Sequence, residues 1–249
     1  MKIQQVDSKN ITRFIISDTT ASFVNALRRA CTFEVPVLAM EDVYIVKNSS
    51  ALYDEILSHR LGLIPLKTDL KTYGLKEKCT CKNEGCAKCQ VKLVIKIAGP
   101  CMVRAKDIKS NDPSVKPIFP EMPIVELLER QEVELEAIAI LGQGKEHAKW
   151  GAGHSFYQSY PTIVVGSSKN IKQGIDHCPK DVFKDNKVAN ILNCNLCLAC
   201  QEYSDKAITV SEEKGKFIFT LEPWGQLSAK DIFKESVTIF KQKIKELKI

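Results

Sequence analysis

Ten cysteines in 249 residues constrain this chain more than any other feature. In an oxidising compartment they could close five disulfides; in a reducing one they more often bind metal or do redox work. Spacing decides between the two. Cys79, Cys81, Cys86 and Cys89 form a Cys-x-Cys-x4-Cys-x2-Cys run. Thiols this close converge on one point only if the loop folds around something. Four thiolates with tetrahedral closure are the ligand set of structural zinc. Lys76, Lys78, Lys82 and Lys88 surround the run and would offset the negative charge of a zinc–tetrathiolate centre. The competing readings are two vicinal disulfides or an empty loop. A water-activating zinc is not expected, because four protein thiolates leave no open position.

The second set is Cys194-x2-Cys197-x2-Cys200, with Cys178-Pro179 upstream. Three cysteines at intervals of three curl around a cubane, and a remote Cys-Pro completes the pattern. The run CPKDVF, then Val188, CNLCLAC and Lys206-Ala207-Ile208 resembles a bacterial two-cluster ferredoxin over about forty residues. A full ferredoxin half would carry three more cysteines before Cys178, where this chain has Gly174, Ile171 and Ser168. After Cys200, Ser204 and Asp205 stand where Cys-Pro is expected. One ligand set is therefore missing. Cys178, Cys194, Cys197 and Cys200 belong to a single cluster. The expectation is one [4Fe–4S] centre, or [3Fe–4S] if a thiolate is lost, with zinc as the rival. A structural role is favoured over redox signalling. Cys31 and Cys101 lie outside both sets and read as buried free thiols.

The rest of the chain is ordinary for a globular protein, with 44% hydrophobic and 27% charged residues, which argues against wide disorder. No apolar run approaches the roughly 18–20 residues a membrane span needs. The N-terminal stretch lacks the apolar core of a secretory signal. A cytoplasmic protein follows as the default. The net charge of +6 permits acidic partners without demanding nucleic acid. No P-loop, G-x-G-x-x-G, H-E-x-x-H or G-x-S-x-G motif occurs, and no aspartate cluster suggests two-metal phosphoryl transfer. His59, His147, His154 and His177 read as structural or surface residues. No catalytic residue is expected.

Ile11–Ser17 reads as a strand, followed by Thr19 and Thr20 as helix N-caps and by Phe23, Ala26, Leu27 and Ala30 at helical spacing. Val35-Pro36 ends that helix. A second helix is predicted over about residues 50–61, with Leu52, Ile56 and Leu57 inward. Residues 67–90 read as a loop, 91–97 as an alternating strand, and 109–123, with four prolines, as an extended connector. Strands are predicted over 132–139, 161–165 and 216–221. A composition shift from 167 to about 213 marks an inserted module. Ser228 with Asp231 opens a final helix with Ile232, Phe233, Val237, Phe240 and Ile244 on one broad face.

Several stretches then resemble one family: FVNALRR at Phe23–Arg29, Glu34-Val35-Pro36, AMEDVY at Ala39–Tyr44 and NSSALYDEILSHRLGLIPL at Asn48–Leu66. DIKSNDPSVKP at Asp107–Pro117, PIVEL at Pro123–Leu127 and LGQGKEHAKW at Leu141–Trp150 add to them. Their order resembles the D subunit of archaeal RNA polymerase, kin of the eukaryotic third subunit and the bacterial alpha N-terminal domain. The resemblance implies an α+β chain. A discontinuous alpha-like dimerisation domain (1–39 and 215–249) would hold an inserted, mostly β domain (40–165) carrying the zinc-like loop at 79–89. A ferredoxin-like Fe–S module (166–214) would follow.

The resemblance further implies a non-catalytic subunit of a nucleotidyltransferase complex, meeting DNA only through the assembled polymerase. It would pair with subunit L through Phe23, Leu27, Ile232, Phe233, Val237, Phe240 and Ile244, then recruit subunits N and P and the large B subunit. Arg28, Arg29, Asp54, Glu55, His59, Arg60, Lys145, His147 and Trp150 would face the larger subunits. The rival classes are an iron–sulfur electron-transfer protein and a zinc-dependent nucleic-acid-binding module.

Overall fold

A computed structural model describes residues 1–8 and 11–247. The first strands are β1 (Lys2–Ser8) and β2 (Thr12–Ser17), and helix α1 (Ala21–Phe33) leads to β3 (Val37–Asn48). Helix α2 (Asp54–Gly62) precedes β4 (Gln90–Ala98), β5 (Cys101–Arg104), β6 (Lys109–Ser110), β7 (Pro123–Leu127), β8 (Glu132–Gly142) and β9 (Gly153–Val165). Then come α3 (Ile171–Asp176), β10 (Phe183–Lys184), β11 (Lys187–Val188), α4 (Ala199–Tyr203), β12 (Ile208–Pro223) and α5 (Ala229–Glu246). The chain divides into two compact units, Met1–Arg28 with Ser155–Leu221, and Arg29–His154 with the residues from Glu222 onward.

The first unit is built on an antiparallel sheet in the order β1-β2-β12-β9. Along β2 buried and half-buried positions alternate, as a strand with one covered face requires. Phe14 lies opposite Phe219 and Ile16 opposite Phe217. The Phe14 and Phe219 rings are 6.4 Å apart at a tilt, and Ile16 and Phe219 are fully buried. The Thr20 hydroxyl accepts the Phe23 N–H at 3.3 Å, the cap that the sequence predicts. The cysteine-bearing segment of this unit holds α3, α4 and the β10–β11 hairpin. Asp185 and Asn186 both have positive φ, which a two-residue I′ hairpin turn requires.

The second unit holds the sheet β3-β8-β4-β6 and the pair β5-β7. Its core gathers Leu38 and Met40 of β3, Leu57 and Leu61 of α2, Leu93 and Ile95 of β4, and Leu135 of β8. The Ser228 hydroxyl accepts the Asp231 N–H at 3.2 Å and caps α5. Cys31 donates to Ser236 Oγ at 3.2 Å, fixing the end of α1 to α5, and Lys243 pairs with Glu34 at 2.6 Å.

Several elements differ from the sequence expectation. Strand β3 is missed because bulges at Met40/Asp42 and Ile45/Lys47 twice reset its two-residue period. Its first four residues are also all buried, so no alternation shows. Helix α2 starts at Asp54 rather than near residue 50. Asn48 Oδ1 there accepts from the Ser50 N–H and hydroxyl, and Ser50 Oγ from the Leu52 N–H, holding the backbone in a turn. Ile56, expected inward, is 49% exposed. Strand β9 begins at Gly153, well before 161, and tolerates Pro161 because it is a sheet edge. Strands β1, β5 and β7 have no counterpart in the sequence expectation. Cys101, expected buried, is exposed at the start of β5. No described helix is long and apolar enough to cross a membrane.

Two glycines separate close packing from open space. A Cβ on Gly142 would overlap the ring of buried Trp150, whereas one on Gly74 would meet nothing within 4 Å. Gly142→Ala should lower stability by about 1–3 kcal/mol through overpacking, and Gly74→Ala should change it by under roughly 0.5 kcal/mol. Urea denaturation midpoints check both.

Candidate metal centres and subunit-facing surfaces

The first cysteine set sits on a loop whose base is closed by the Gly74 N–H bonding the Lys88 carbonyl at 3.0 Å. Tyr73, buried beside that base, donates its hydroxyl to Asp112. Within the loop, tight turns carry the chain back on itself. Lys82, Asn83 and Gly85 have positive φ, and the Cys89 N–H reaches the Cys86 carbonyl at 2.9 Å. The sulfurs are 3.6 Å apart for Cys79–Cys86, 3.7 Å for Cys81–Cys89 and 3.8 Å for Cys86–Cys89. All four lie within 4.8 Å of one another, and together they could hold a metal ion. These separations are far beyond the roughly 2.05 Å of a disulfide, and all ten cysteines are free thiols. They match the edge of about 3.8 Å of a tetrahedron with Zn–S bonds of about 2.3 Å. The Cys86 N–H points at the Cys89 sulfur at 3.2 Å, a dipole that favours a thiolate. In the metal-free thiols, burial followed by hydrogen bonds with the neighbouring sulfurs pushes Cys89 up to about 12.

The second set also converges. Cys178 follows α3, Cys194 and Cys197 lie on the loop before α4, and Cys200 is within α4. All four line a small cavity whose other walls include Ile163 of β9, Val182, Phe183 and Val210 of β12. Cys194 and Cys200 are buried, Cys178 is half-buried and Cys197 is exposed. Burial raises the pKa of the Cys194 and Cys200 thiols, and the charge of the neighbouring cysteines raises it further. Two backbone groups oppose this shift, the N–H of Leu196 at Cys194 and that of Gln201 at Cys200. Leu196 and Leu198 both adopt positive φ, a sparsely populated region for a branched side chain. Such left-handed turns direct successive N–H groups into an anion-binding concavity, an arrangement found at many Fe–S sites.

Two of the positions where a ferredoxin half would carry further cysteines, Gly174 and Ser204, are filled by packing. A Cβ on Gly174 would lie 2.6 Å from the Cys200 carbonyl and 2.7 Å from Ser204 Cβ, so α3 and α4 touch through a glycine. Ser204 is fully buried and spends its hydroxyl on the Ile208 N–H at 3.0 Å. His177 and Tyr203 stack beside them at 3.7 Å.

Similarity to known proteins extends along nearly the whole chain. The family model "RNA polymerase Rpb3/RpoA insert domain" matches residues 43–155. A DNA-directed RNA polymerase subunit Rpo3 from Methanosphaera stadtmanae is 41% identical over 92% of this chain and 90% of its own length. Those of Methanosarcina acetivorans and Archaeoglobus fulgidus are 37% and 35% identical over 94% of this chain and 92% and 91% of theirs. The chain belongs to the Rpo3 family. The insert-domain match covers β8, the second half of β3 and the first cysteine loop.

The residues that the family resemblance assigns to subunit contacts fall into distinct classes. Among the helix residues, Leu27 and Ile232 are buried within the chain itself, Phe23, Phe233, Val237 and Phe240 are half-buried, and Ile244 is 52% exposed. Arg29, Asp54, Glu55, His59, Arg60, Lys145 and His147 are exposed, while Arg28 is half-buried and bonds Asn25 at 3.0 Å. Arg60 also donates to the Pro123 carbonyl at 2.9 Å. Helix α2 and the 145–150 segment meet in one cleft, lined by His59, Gly62, His147 and Lys149. Trp150 is buried and its indole N–H bonds the Ile140 carbonyl at 3.3 Å. Lys149, within the segment that the resemblance turns toward the larger subunits, lies over the ring of its neighbour Trp150 at 4.5 Å and pairs with Glu41, which is remote in sequence.

Cys86→Ser should release bound metal from the first loop without changing the occupancy of the second set. Metal analysis of the two purified proteins checks this. Because a bound metal must displace the Cys89 proton, retention in the wild type should weaken steadily as pH falls. A chelator titration at several pH values reads that slope.

Proposed function

We propose that this chain is the assembly platform of a DNA-dependent RNA polymerase, the component known as D in archaeal enzymes. The observation that carries this reading is similarity to polymerase subunits along nearly the full length of both partners. On this reading the chain acts in the cytoplasm, contributes no catalytic residue and meets DNA only within the assembled enzyme. It pairs with subunit L through Phe23, Leu27, Ile232, Phe233, Val237, Phe240 and Ile244. Subunits N and P and the large B subunit then join, the large one using the α2 and 145–150 surface.

The cofactors proposed are one structural zinc and one iron–sulfur cluster. Zinc suits Cys79, Cys81, Cys86 and Cys89 because the sulfur separations match a tetrahedral tetrathiolate site. A [4Fe–4S] cluster, or [3Fe–4S] with one thiolate fewer, suits Cys178, Cys194, Cys197 and Cys200. Four thiols share an apolar-walled cavity, and the backbone N–H groups of Leu196 and Gln201 favour the thiolates of Cys194 and Cys200. Cys178 after α3, Cys194 and Cys197 of the loop and Cys200 of α4 would hold the cluster, which would supply a crosslink within the module. The electron-carrier alternative accounts for the cysteine module alone and leaves the polymerase likeness of the remaining chain unexplained.

Native mass spectrometry of the tagged chain, purified without oxygen from its own source, tests the reading. A complex with one small partner and the large subunits, plus mass for zinc and a cluster, is the expected result. A lone chain of 27.9 kDa carrying iron and sulfide would overturn it. Phe240→Asp should abolish the small partner, and Cys194→Ser should lower both iron content and yield of assembled enzyme.

A further inference from the structure

The loop that carries Cys194 and Cys197 is held from outside by two side chains of the sheet. Gln158, on edge strand β9, donates its Nε2 to the carbonyl oxygen of Cys194 at 2.7 Å. Arg13, on β2, donates to Asn193 Oδ1, one residue earlier in the loop, at 3.1 Å. In the sheet order these strands lie on either side of β12. Strands β9 and β12 also supply Ile163 and Val210 to the wall of the cysteine cavity. The sheet thus touches the site twice, once through apolar wall residues and once through two directed hydrogen bonds.

The loop needs such support. Leu196 and Leu198 are both in the left-handed region, a conformation that persists only where surroundings over-determine it. Cys194 is buried, so its carbonyl would lose a partner in an apolar setting without Gln158.

We propose that Gln158 and Arg13 are positioning residues that latch the 193–200 loop to the four-stranded sheet, so that filling the cysteine site and ordering that sheet are one coupled event. The proposal rests on the reading that Cys178, Cys194, Cys197 and Cys200 hold an iron–sulfur cluster. It adds a route by which occupancy of the site reaches β2, the strand leading to α1. Thermodynamic linkage makes the coupling reciprocal: whatever factor the latches add to cluster retention, the cluster adds to latch formation.

The test uses the full chain, purified without oxygen, as wild type and as Gln158→Leu, Asn193→Ala and the double variant Arg13→Met/Gln158→Leu. Asn193→Ala removes the Arg13 acceptor from the loop side, should a change in β9 or β2 impair folding. The first readout is the rate of iron transfer to a ferrous-iron chelator. Each single variant should release iron about two- to tenfold faster, the range expected for one hydrogen bond, while the melting midpoint of the iron-stripped protein stays unchanged. The second readout is hydrogen exchange of residues 12–17 and 153–165. Stripping iron should lower their protection in the wild type and change it little in the double variant.

Equal release rates in all proteins would overturn the proposal. So would a stripped-protein midpoint that falls as far as the loaded one, the mark of a purely structural role. Sheet protection indifferent to iron in the wild type would do the same. A wild type that holds no iron or sulfide would overturn the cluster reading itself, whereas a loaded wild type with unaffected variants overturns the latch alone.

Discussion

The pairing of β2 with β12 joins segments from opposite ends of the chain, and the other elements are arranged around that closure. Phe14 against Phe219 and Ile16 against Phe217 bury large apolar surfaces in a register that a one-residue slip would turn outward. Once this pairing is made, the intervening residues must leave and return. The β3-β8-β4-β6 sheet and the cysteine module are both, in this sense, excursions between two strands. Such closure is costly in chain entropy and has to be secured by burial, and residues 217–221 of β12, which face β2, are all buried.

The two cysteine centres solve one problem in different ways. In each, several thiols are crowded together, and burial favours the neutral form of Cys89 in the first and of Cys194 and Cys200 in the second. The first loop closes on itself through short-range turns and is braced at its base by Tyr73 and Asp112. The second draws its ligands from a helix end, a loop and another helix, and borrows its walls from β9 and β12. The first site is therefore local in sequence, whereas the second shares its walls with the sheet behind it.

This difference also explains what could be read from the amino-acid order. Both cysteine groupings were legible because the spacing of their cysteines in the chain already draws them together. The α5 cap at Ser228 and the alternation of β4 were legible for the same reason, since each is decided within a few residues. Strand β3 was not, because two bulges shift its phase and its first half is buried on both faces. The outward turn of Ile56 was hidden because Asn48 and Ser50 delay the helix and rotate its face. Gln158, Arg13 and Lys149 are polar residues on otherwise unremarkable segments. Their partners lie far away in sequence, and no periodicity points to them.

The two thiols outside both centres sit in opposite surroundings. Cys31 is fully enclosed, donates to Ser236 and is pushed up to about 11 by burial, so at neutral pH it is neither a nucleophile nor within reach of one. Cys101 stands in water at the start of β5. With both cysteine centres filled, eight of the ten sulfurs are engaged as ligands, and Cys101 is left as a single addressable position. A fluorophore or spin label could be attached there to the native sequence, with no cysteine removed and no metal disturbed, giving a built-in vantage point from which to watch the chain join its neighbours.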